Sequence, residues 1–172
     1  QGLERARLPV EPTAQAVLAA VGDPFQAVAA GLLVTAQQPV LLGGGSQMAA
    51  VLALALASIP VSQRVGLAGR VVLGSTAWLA GERISGRVDP ALGCLLDAVG
   101  QRYGVNLAGM ASGVRFRGSA VQPLRDYEDG FVKEGVGAGA LLLLAQLQGN
   151  SVETLVADCE RAMDQLQGFP VT

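Results

Sequence analysis

The sequence predicts an α/β fold in which helices cover both faces of a mostly parallel, three-layer sheet. Short β-branched segments alternate along the chain with longer apolar helical segments, an alternation typical of parallel sheets. Alanine, leucine, valine and glycine dominate, while aromatic residues make up only 4%. This composition favours closely packed helices and strands over an aromatic-rich β-sandwich. We therefore expect a Rossmann-like arrangement.

The length of 172 residues fits one domain with a real core. We expect a single α/β unit over residues 1–172, with residues 1–12 as an exposed lead-in rich in arginine, glutamate and proline. The first residue, Gln1, is not a methionine. We expect the chain to be the C-terminal half of a longer polypeptide and its unit to be part of a larger domain there.

The first predicted helices carry clear start signals. Thr13 is a suitable N-cap for a helix over Ala14–Val21. Asp23 is a suitable N-cap for the next helix, Phe25–Ala36, with Pro24 at its first position. Threonine and aspartate are favoured as N-caps because their side-chain oxygen accepts a free backbone N–H. Proline is favoured at the first helical position because that position needs no N–H.

Two strand-to-helix passages follow. Pro39–Leu42 is predicted to be a buried strand that leads through a glycine loop to an N-cap at Ser46 and the apolar helix Gln47–Ala57. Arg70–Trp78 is predicted to contain the second strand, ending in a glycine and two hydroxyl residues.

The rest of the chain continues this pattern. A polar loop, Gly81–Val88, leads to a helix capped by Asp89 with Pro90 at its first position. Val105–Met110 is the third strand candidate, and "GVRFR" after it could extend the strand region. The last predicted elements are two helices, Gly137–Gln148 and Ser151–Gln167.

Composition excludes several classes of function. The net charge of −2 provides no electrostatic footprint for nucleic acid or for an anionic membrane. The chain has no histidine, which excludes Ser-His-Asp, Cys-His and His-metal chemistry. The longest strictly apolar run, Met48–Ala57, is too short to span a bilayer. We expect a cytoplasmic protein without a metal or another cofactor, in which Cys94 and Cys159 are buried, reduced thiols.

Ligands in such folds bind outside the carboxyl ends of the strands. The residues expected there are small or carry a hydroxyl: Gly43, Gly44, Gly45, Ser46, Ser75, Thr76 and the segment 109–113. Met48 occupies the third glycine position of a dinucleotide fingerprint, and no P-loop motif is present. The glycine loop is therefore interpreted either as a contact for an anion or ligand, or as a tight turn.

The segment "GFVKEGVGAGALLLL" places two charges, Lys133 and Glu134, directly before a glycine-rich helix start. Glu134 could stabilise the helix dipole as a first-turn carboxylate. It could instead be a general base at a cleft. Gly135, Gly137 and Gly139 are more glycines than a cap requires, since each is unfavourable in a helix interior. Close approach of a substrate would explain them, which favours the catalytic interpretation.

Three segments together resemble one enzyme family: "AVGDPFQAVAAGLL", "QPVLLGGGSQMAAVLALAL" and "DYEDGFVKEGVGAGA". The family is that of nicotinate-nucleotide:dimethylbenzimidazole phosphoribosyltransferases, in particular its divergent branch from archaea and cyanobacteria. The resemblance implies transfer of phosphoribose from nicotinate mononucleotide to a benzimidazole-type base. The products would be nicotinate and an α-ribotide for the lower ligand of cobalamin.

The resemblance also implies roles for individual residues. Glu134, followed by Gly135, matches the glutamate that removes the ring proton of the acceptor base. Val132 would line the base pocket, and backbone amides at Gly135 and Gly137 would lie beside the substrate. Ser119 would contact the nucleotide. The remaining substrate-binding positions would be Gly43, Gly44, Gly45, Ser46, Ser75 and Thr76.

Two departures from the family pattern bear on these expectations. The glycine-threonine phosphate motif of an N-terminal half is absent from this chain, and Lys133 replaces the glycine that precedes the glutamate. The acceptor base is therefore left open. We expect a homodimer whose partners are nicotinate mononucleotide and an aromatic base. The alternatives are a non-catalytic nucleotide- or phosphate-binding module and a structural oligomerisation domain.

Overall fold

A computed structural model describes residues 8–86, 88–131 and 135–167. The chain has an α/β fold in which helices flank a three-stranded parallel sheet. The strands are β1 (Val40–Gly43), β2 (Val71–Ser75) and β3 (Ala108–Ala111). The helices are α1 (Ala14–Val21), α2 (Pro24–Thr35), α3 (Ser46–Ala57), α4 (Val61–Ala68), α5 (Ala77–Ala80), α6 (Ala91–Tyr103), α7 (Gln122–Glu128), α8 (Ala138–Leu147) and α9 (Val152–Gln167).

The sheet has the strand order β1-β2-β3. The N–H of Val40 donates to the carbonyl of Arg70 (2.8 Å), and the N–H of Gly44 donates to that of Gly74 (2.9 Å). Because the pairing advances by four residues on both strands, β1 and β2 run parallel. Helices connect the strands, as a parallel arrangement requires. The prediction of an α/β fold with a parallel sheet is confirmed.

The described chain divides into two compact units, and each strand contributes residues to both. Among the described residues, the first unit contains 8–42, 46–72 and 94–108. Helices α2 and α3 pack against each other there. Their buried residues, which include Leu33, Leu52 and Leu56, form one apolar core with Leu67 and Val71. Arg64 extends the packing because its guanidinium lies 5.1 Å from the centroid of the Tyr103 ring.

The second unit contains the described residues within 43–45, 73–93 and 109–167. Its core contains Val114, Phe116, Leu124 and Leu155. Trp78 packs beside Phe116, with the ring centroids 5.9 Å apart. Helices α8 and α9 also contact each other in this unit. The described residues thus have two cores, and the single α/β unit over residues 1–172 stays a prediction.

The capping predictions at the first two helices are confirmed. Thr13 Oγ1 accepts the N–H of Ala16 (3.1 Å), and α1 has the predicted bounds. Asp23 Oδ1 accepts the N–H of Phe25 (2.7 Å), and Gln26 Oε1 accepts the N–H of Asp23 (3.2 Å). This capping box fixes the start of α2 at Pro24.

Other predicted bounds shift by a few residues. Ser46, predicted as an N-cap, is instead the first residue of α3. Helix α6 begins at Ala91, after Pro90 rather than at it. Strand β3 begins three residues later than predicted, at Ala108. The last two helices, α8 and α9, lie within the predicted ranges.

Three short helices, α4, α5 and α7, have no counterpart in the sequence prediction. Helices α4 and α7 lack a side-chain cap, so their start signals are weak. Helix α5 is capped by Thr76, but four residues are too few to show a helical period.

The segment "GVRFR" is not a strand, although its side chains alternate between buried and exposed. Val114 and Phe116 are buried, whereas Arg115 and Arg117 are exposed. The N–H groups of Phe116 and Arg117 donate to the Glu128 carboxylate instead of to a neighbouring strand. The alternation of apolar and charged residues therefore predicts correctly which side chains are buried. It predicts wrongly that a neighbouring strand accepts the backbone N–H groups.

Both cysteines are free, as expected, but each is only partly buried. Burial, followed by the nearby charges of Asp158 and Glu160, raises the pKa of the Cys159 thiol above its ordinary value. That thiol therefore stays protonated near neutral pH. Across the described residues, no helix is long and apolar enough to cross a membrane.

Candidate functional site

The end of β1 lies directly against the start of α8. An added Cβ at Gly43 would lie 2.9 Å from the Ala140 Cβ and 3.3 Å from the Gly137 carbonyl oxygen. A larger residue at Gly43 would therefore push α8 away. The glycine loop and the glycine-rich helix start, which are far apart in sequence, are neighbours in the second unit.

The end of β2 makes an even closer contact with α8. An added Cβ at Gly139 would lie 2.2 Å from the Thr76 nitrogen and 2.3 Å from the Ser75 carbonyl carbon. Real Cβ atoms do not approach backbone this closely. Gly139 is thus required for the first turn of α8 to pack on the Ser75–Thr76 peptide. Three of the predicted segments meet at this point.

Gly135 begins the turn into α8, and its left-handed backbone (φ +80°) favours glycine. Its carbonyl accepts two hydrogen bonds of 2.8 Å, from the N–H of Ala138 and from the Tyr127 hydroxyl. Burial raises the pKa of Tyr127 above its ordinary value. The hydroxyl therefore remains a donor at neutral pH.

A pocket of about 470 Å³ lies in the second unit, next to these segments. Trp78, Leu79 and Val136 supply apolar walls, and Gly45 adjoins two of them. An added Cβ at Gly45 would lie 2.6 Å from Leu79 Cδ2 and 3.7 Å from Val136 Cγ2. The polar part of the lining comes from Glu82, Arg115, Arg117, Glu128 and Asp129. The glycine loop therefore lies against the outside of the pocket wall at Gly45.

Glu128 is the carboxylate that sequence reasoning missed. Its side chain is fully buried, and one oxygen accepts the N–H groups of both Phe116 and Arg117. The other oxygen lies 3.1 Å from Arg115 Nη1 and 3.6 Å from Arg117 Nε. Because both oxygens are occupied, Glu128 is suited to hold the pocket wall and poorly suited to accept a proton from a substrate.

Arg115 joins this wall to the helix after β2. One nitrogen of its guanidinium contacts Glu128, and the other donates to the Ala77 carbonyl (3.2 Å). The sequence offers one signal for this role, since Arg115 and Arg117 alternate with buried residues. Nothing in that local pattern indicates which acidic residue pairs with them.

The predicted hydroxyl residues have differing environments. Ser75 and Thr76 are both fully buried, and Thr76 Oγ1 accepts the N–H of Leu79 (3.4 Å). The Ser119 hydroxyl donates to Glu160 (2.5 Å) and accepts the N–H of Val121 (3.1 Å). Contact of these three side chains with a substrate stays a prediction.

Two buried hydroxyls find no hydrogen-bond partner in the part of the chain that the structure describes. These are Ser75 Oγ and Ser112 Oγ. Their residues are neighbours, because the N–H of Ser112 donates to the carbonyl of Ser75 (3.1 Å). A buried hydroxyl without a partner costs about 1–3 kcal/mol. These two hydroxyl groups, which can still form hydrogen bonds, lie where β2 and β3 end.

The remaining predicted positions add less to the site. Ser46 is exposed and belongs to the first unit. Val132 and Glu134 lie outside the described residues, as does Lys133. Over the ranges described, no cluster of His, Cys, Asp and Glu could hold a metal ion. A second, larger pocket of about 640 Å³ in the first unit contains no residue predicted to act.

The chain is similar in sequence to UPF0284 proteins of several cyanobacteria. A UPF0284 protein of Parasynechococcus marenigrum (strain WH8102) is 74% identical over 166 residues, which is 96% of this chain and 42% of the relative. The chain is closely homologous to UPF0284 proteins over that portion. The UPF0284 protein of Prochlorococcus marinus (strain MIT 9313) is 57% identical and that of Gloeobacter violaceus (strain PCC 7421) 39% identical, each over at least 95% of this chain.

The chain spans about 42% of the length of these UPF0284 relatives. Their names state no activity. No protein-family model matches the chain. A function for the chain therefore has to be inferred from the residues of the site.

Proposed function

We propose that the chain carries part of the active site of a phosphoribosyltransferase that uses nicotinate mononucleotide as donor and a benzimidazole-type base as acceptor. The observation that carries the proposal is the meeting of three distant segments in the second unit. Gly43 lies against Gly137 and Ala140 at the start of α8, and Gly139 of the same helix lies against the Ser75–Thr76 peptide. The segments that bear the family resemblance supply two of these three parts.

The start of α8 is suited to an anionic donor. Its first turn contains no acidic residue, and Gly137 provides no side-chain cap. Among the described residues no side chain caps this positive end of the helix dipole, where a phosphate is a common partner. At Gly135 an added Cβ would meet nothing within 4 Å among the described residues, so this glycine leaves room for a substrate beside the backbone.

The adjoining pocket is suited to a flat aromatic acceptor. Trp78, Leu79 and Val136 supply apolar surface, and the volume of about 470 Å³ lies within the range of small-molecule sites. In the proposed mechanism, Glu134 removes the ring proton of the base, whose nitrogen then displaces nicotinate at the ribose. Such a reaction needs positioning and proton transfer, which contribute about 10²–10⁴-fold for the base alone.

The decisive experiment measures ribotide formation. The full-length relative from Parasynechococcus marenigrum should convert nicotinate mononucleotide and dimethylbenzimidazole to nicotinate and α-ribotide. Glu134→Gln at the aligned position should lower kcat by about 10²–10⁴-fold because the base is lost. Asp164→Asn at its own aligned position, an exposed site on α9, is the matched control and should retain full turnover.

Two results would contradict the proposal in different ways. Absence of turnover with any benzimidazole would remove the transferase. Full turnover by Glu134→Gln would retain the transferase and remove the assignment of the base.

The second candidate is a phosphate- or nucleotide-binding module without transferase activity. The start of α8 favours it, because a helix N-terminus without a side-chain cap is a common position for a bound anion. Calorimetry separates the candidates. A pure phosphate binder should bind nicotinate mononucleotide and ignore benzimidazole, whereas the transferase should bind both.

A further inference from the structure

Helix α2, in the first unit, is apolar on a second face besides the one that packs in the core. Its buried residues pack against α3. Phe25, Val28 and Leu32 do not belong to that core, and they are exposed by 56%, 63% and 66%. Their spacing of three and four residues places the three side chains in one row along the helix. This row is called the α2 stripe below.

The rest of α2 carries no charge that would mark this face as one for solvent. No charged residue lies between Asp23 and Arg64 in the sequence, so α2 has none. A surface helix of a globular domain usually has charged and polar residues on its outer face. Helix α9 does, since Asp158 and Arg161 form an exposed ion pair on it. The composition of α2 is instead typical of a helix that is covered on more than one side.

The relatives contain additional chain that is available to cover the α2 stripe. The UPF0284 protein of Parasynechococcus marenigrum matches 96% of this chain with 42% of its own length. More than half of that relative therefore lies outside the match. A contact within one chain forms even when its area is small, because the covalent connection keeps its two sides at a high effective concentration.

A second copy of the chain is a less favourable occupant of the α2 stripe. Burial of one apolar side chain removes on the order of 100 Å² from water. Three such side chains on each of two copies would bury roughly 600 Å², about half of the area at which specific interfaces between separate chains begin. The α2 stripe alone is thus too small to hold two copies together.

We propose that the α2 stripe docks in the full-length protein against the part of the UPF0284 chain that lies outside these 172 residues. The surface that covers it is apolar, because a charge buried against these side chains would lose its hydration without gaining a partner. The docking is independent of the proposed reaction, in which Phe25, Val28 and Leu32 have no role.

The test compares two cysteines placed in the full-length relative at the aligned positions. Leu32→Cys lies in the α2 stripe, and Leu166→Cys on α9 is the matched control, because the two leucines are exposed by 66% and 64% in this chain. In the folded relative, N-ethylmaleimide should modify Leu32→Cys at least about tenfold more slowly, because the docked face has to open first. Mass spectrometry of the peptide that contains each position measures the rates, which are normalised to those in urea. Equal rates in the folded protein overturn the proposal.

Photocrosslinking identifies the occupant and does not depend on the cysteine variants. Phe25→benzoylphenylalanine keeps an aromatic side chain in the α2 stripe and makes it photoreactive. Irradiation of the full-length relative should join this position to a residue outside the matched portion, within a single chain. A crosslink to a second copy, seen as a product of twice the mass, overturns the proposal. Crosslinks that lie only within the matched portion overturn it as well.

Discussion

Glu128 is a carboxylate with a fully buried side chain in a chain that carries few charges. Burial of an unpaired carboxylate is strongly unfavourable, so its partners determine whether it can be tolerated. Two backbone N–H groups and the Arg115 guanidinium satisfy it. Glu128 thereby replaces the neighbouring strand that the segment 113–117 lacks.

Replacement of Glu128 by glutamine tests this role. The amide keeps the shape but carries no charge, and its NH₂ group faces one of the donors. We expect a loss of about 3 kcal/mol in the free energy of unfolding, the lower end of the cost of breaking a buried ion pair. Urea denaturation measures it.

The control for Glu128→Gln is Asp158→Asn, which removes an exposed ion pair with Arg161 (2.8 Å). That pair should contribute less than about 1 kcal/mol. Equal effects of the two substitutions would contradict the structural role of Glu128.

Sequence reasoning could not have selected Glu128 among its neighbours. It lies in "RDYEDG" beside Asp126 and Asp129, and the three acidic residues have the same local pattern. Only the tertiary contact with residues 115–117 separates the buried carboxylate from the two others. The glycine-rich pattern predicted a close approach at Gly139 but assigned it to a substrate, whereas in the described structure the Ser75–Thr76 peptide occupies that position.

At the scale of elements, α8 depends on one glycine for its contact with β2. An added Cβ at Gly139 would lie 2.2 Å from a backbone nitrogen, and backbone cannot rotate away as a side chain can. Relief would require the first turn of α8 or the end of β2 to move. Gly139→Ala should therefore reduce the free energy of unfolding by about 2–3 kcal/mol, the upper part of the range for overpacking.

Gly31→Ala in α2 is the matched control for Gly139→Ala. An added Cβ at Gly31 would meet nothing within 4 Å. Alanine is the better helix former, so this substitution should raise stability by up to about 1 kcal/mol. Thermal unfolding should therefore show a lower melting temperature for Gly139→Ala and a higher melting temperature for Gly31→Ala. Gain of stability in both would mean that helix propensity, and not the contact with β2, governs these positions.

The elements predicted most accurately are those whose own sequence contains both a capping residue and a full helical period. Helix α1 has a cap and a full helical period, and its bounds agree with the prediction. Helices α4 and α7 begin without a side-chain cap, so tertiary packing has to specify them. The parallel sheet was predictable from the alternation of elements, whereas the division into two cores depends on contacts that no single segment encodes.

At the scale of the whole molecule, the second unit combines an uncapped helix start with a pocket that contains the only tryptophan of the chain. Trp78 lies in the pocket wall, so its fluorescence should respond directly to an occupant. A ligand that binds only the folded state also stabilises it, by about 2.7 kcal/mol at 100 times the dissociation constant. A ligand that changes Trp78 fluorescence and also stabilises the protein binds at the pocket. A ligand that stabilises the protein without changing the fluorescence binds elsewhere.

Titration with nicotinate mononucleotide, a benzimidazole and inorganic phosphate then discriminates the three interpretations of the chain. The transferase predicts that the base changes Trp78 fluorescence and that the base and the nucleotide each raise the melting temperature. For a chain of this size the rise should be about 5–10 °C near saturation. A phosphate-binding module predicts stabilisation by the nucleotide and by phosphate alone. Free tryptophan controls for absorption by the ligands, and no response to any of the three would leave only the structural domain.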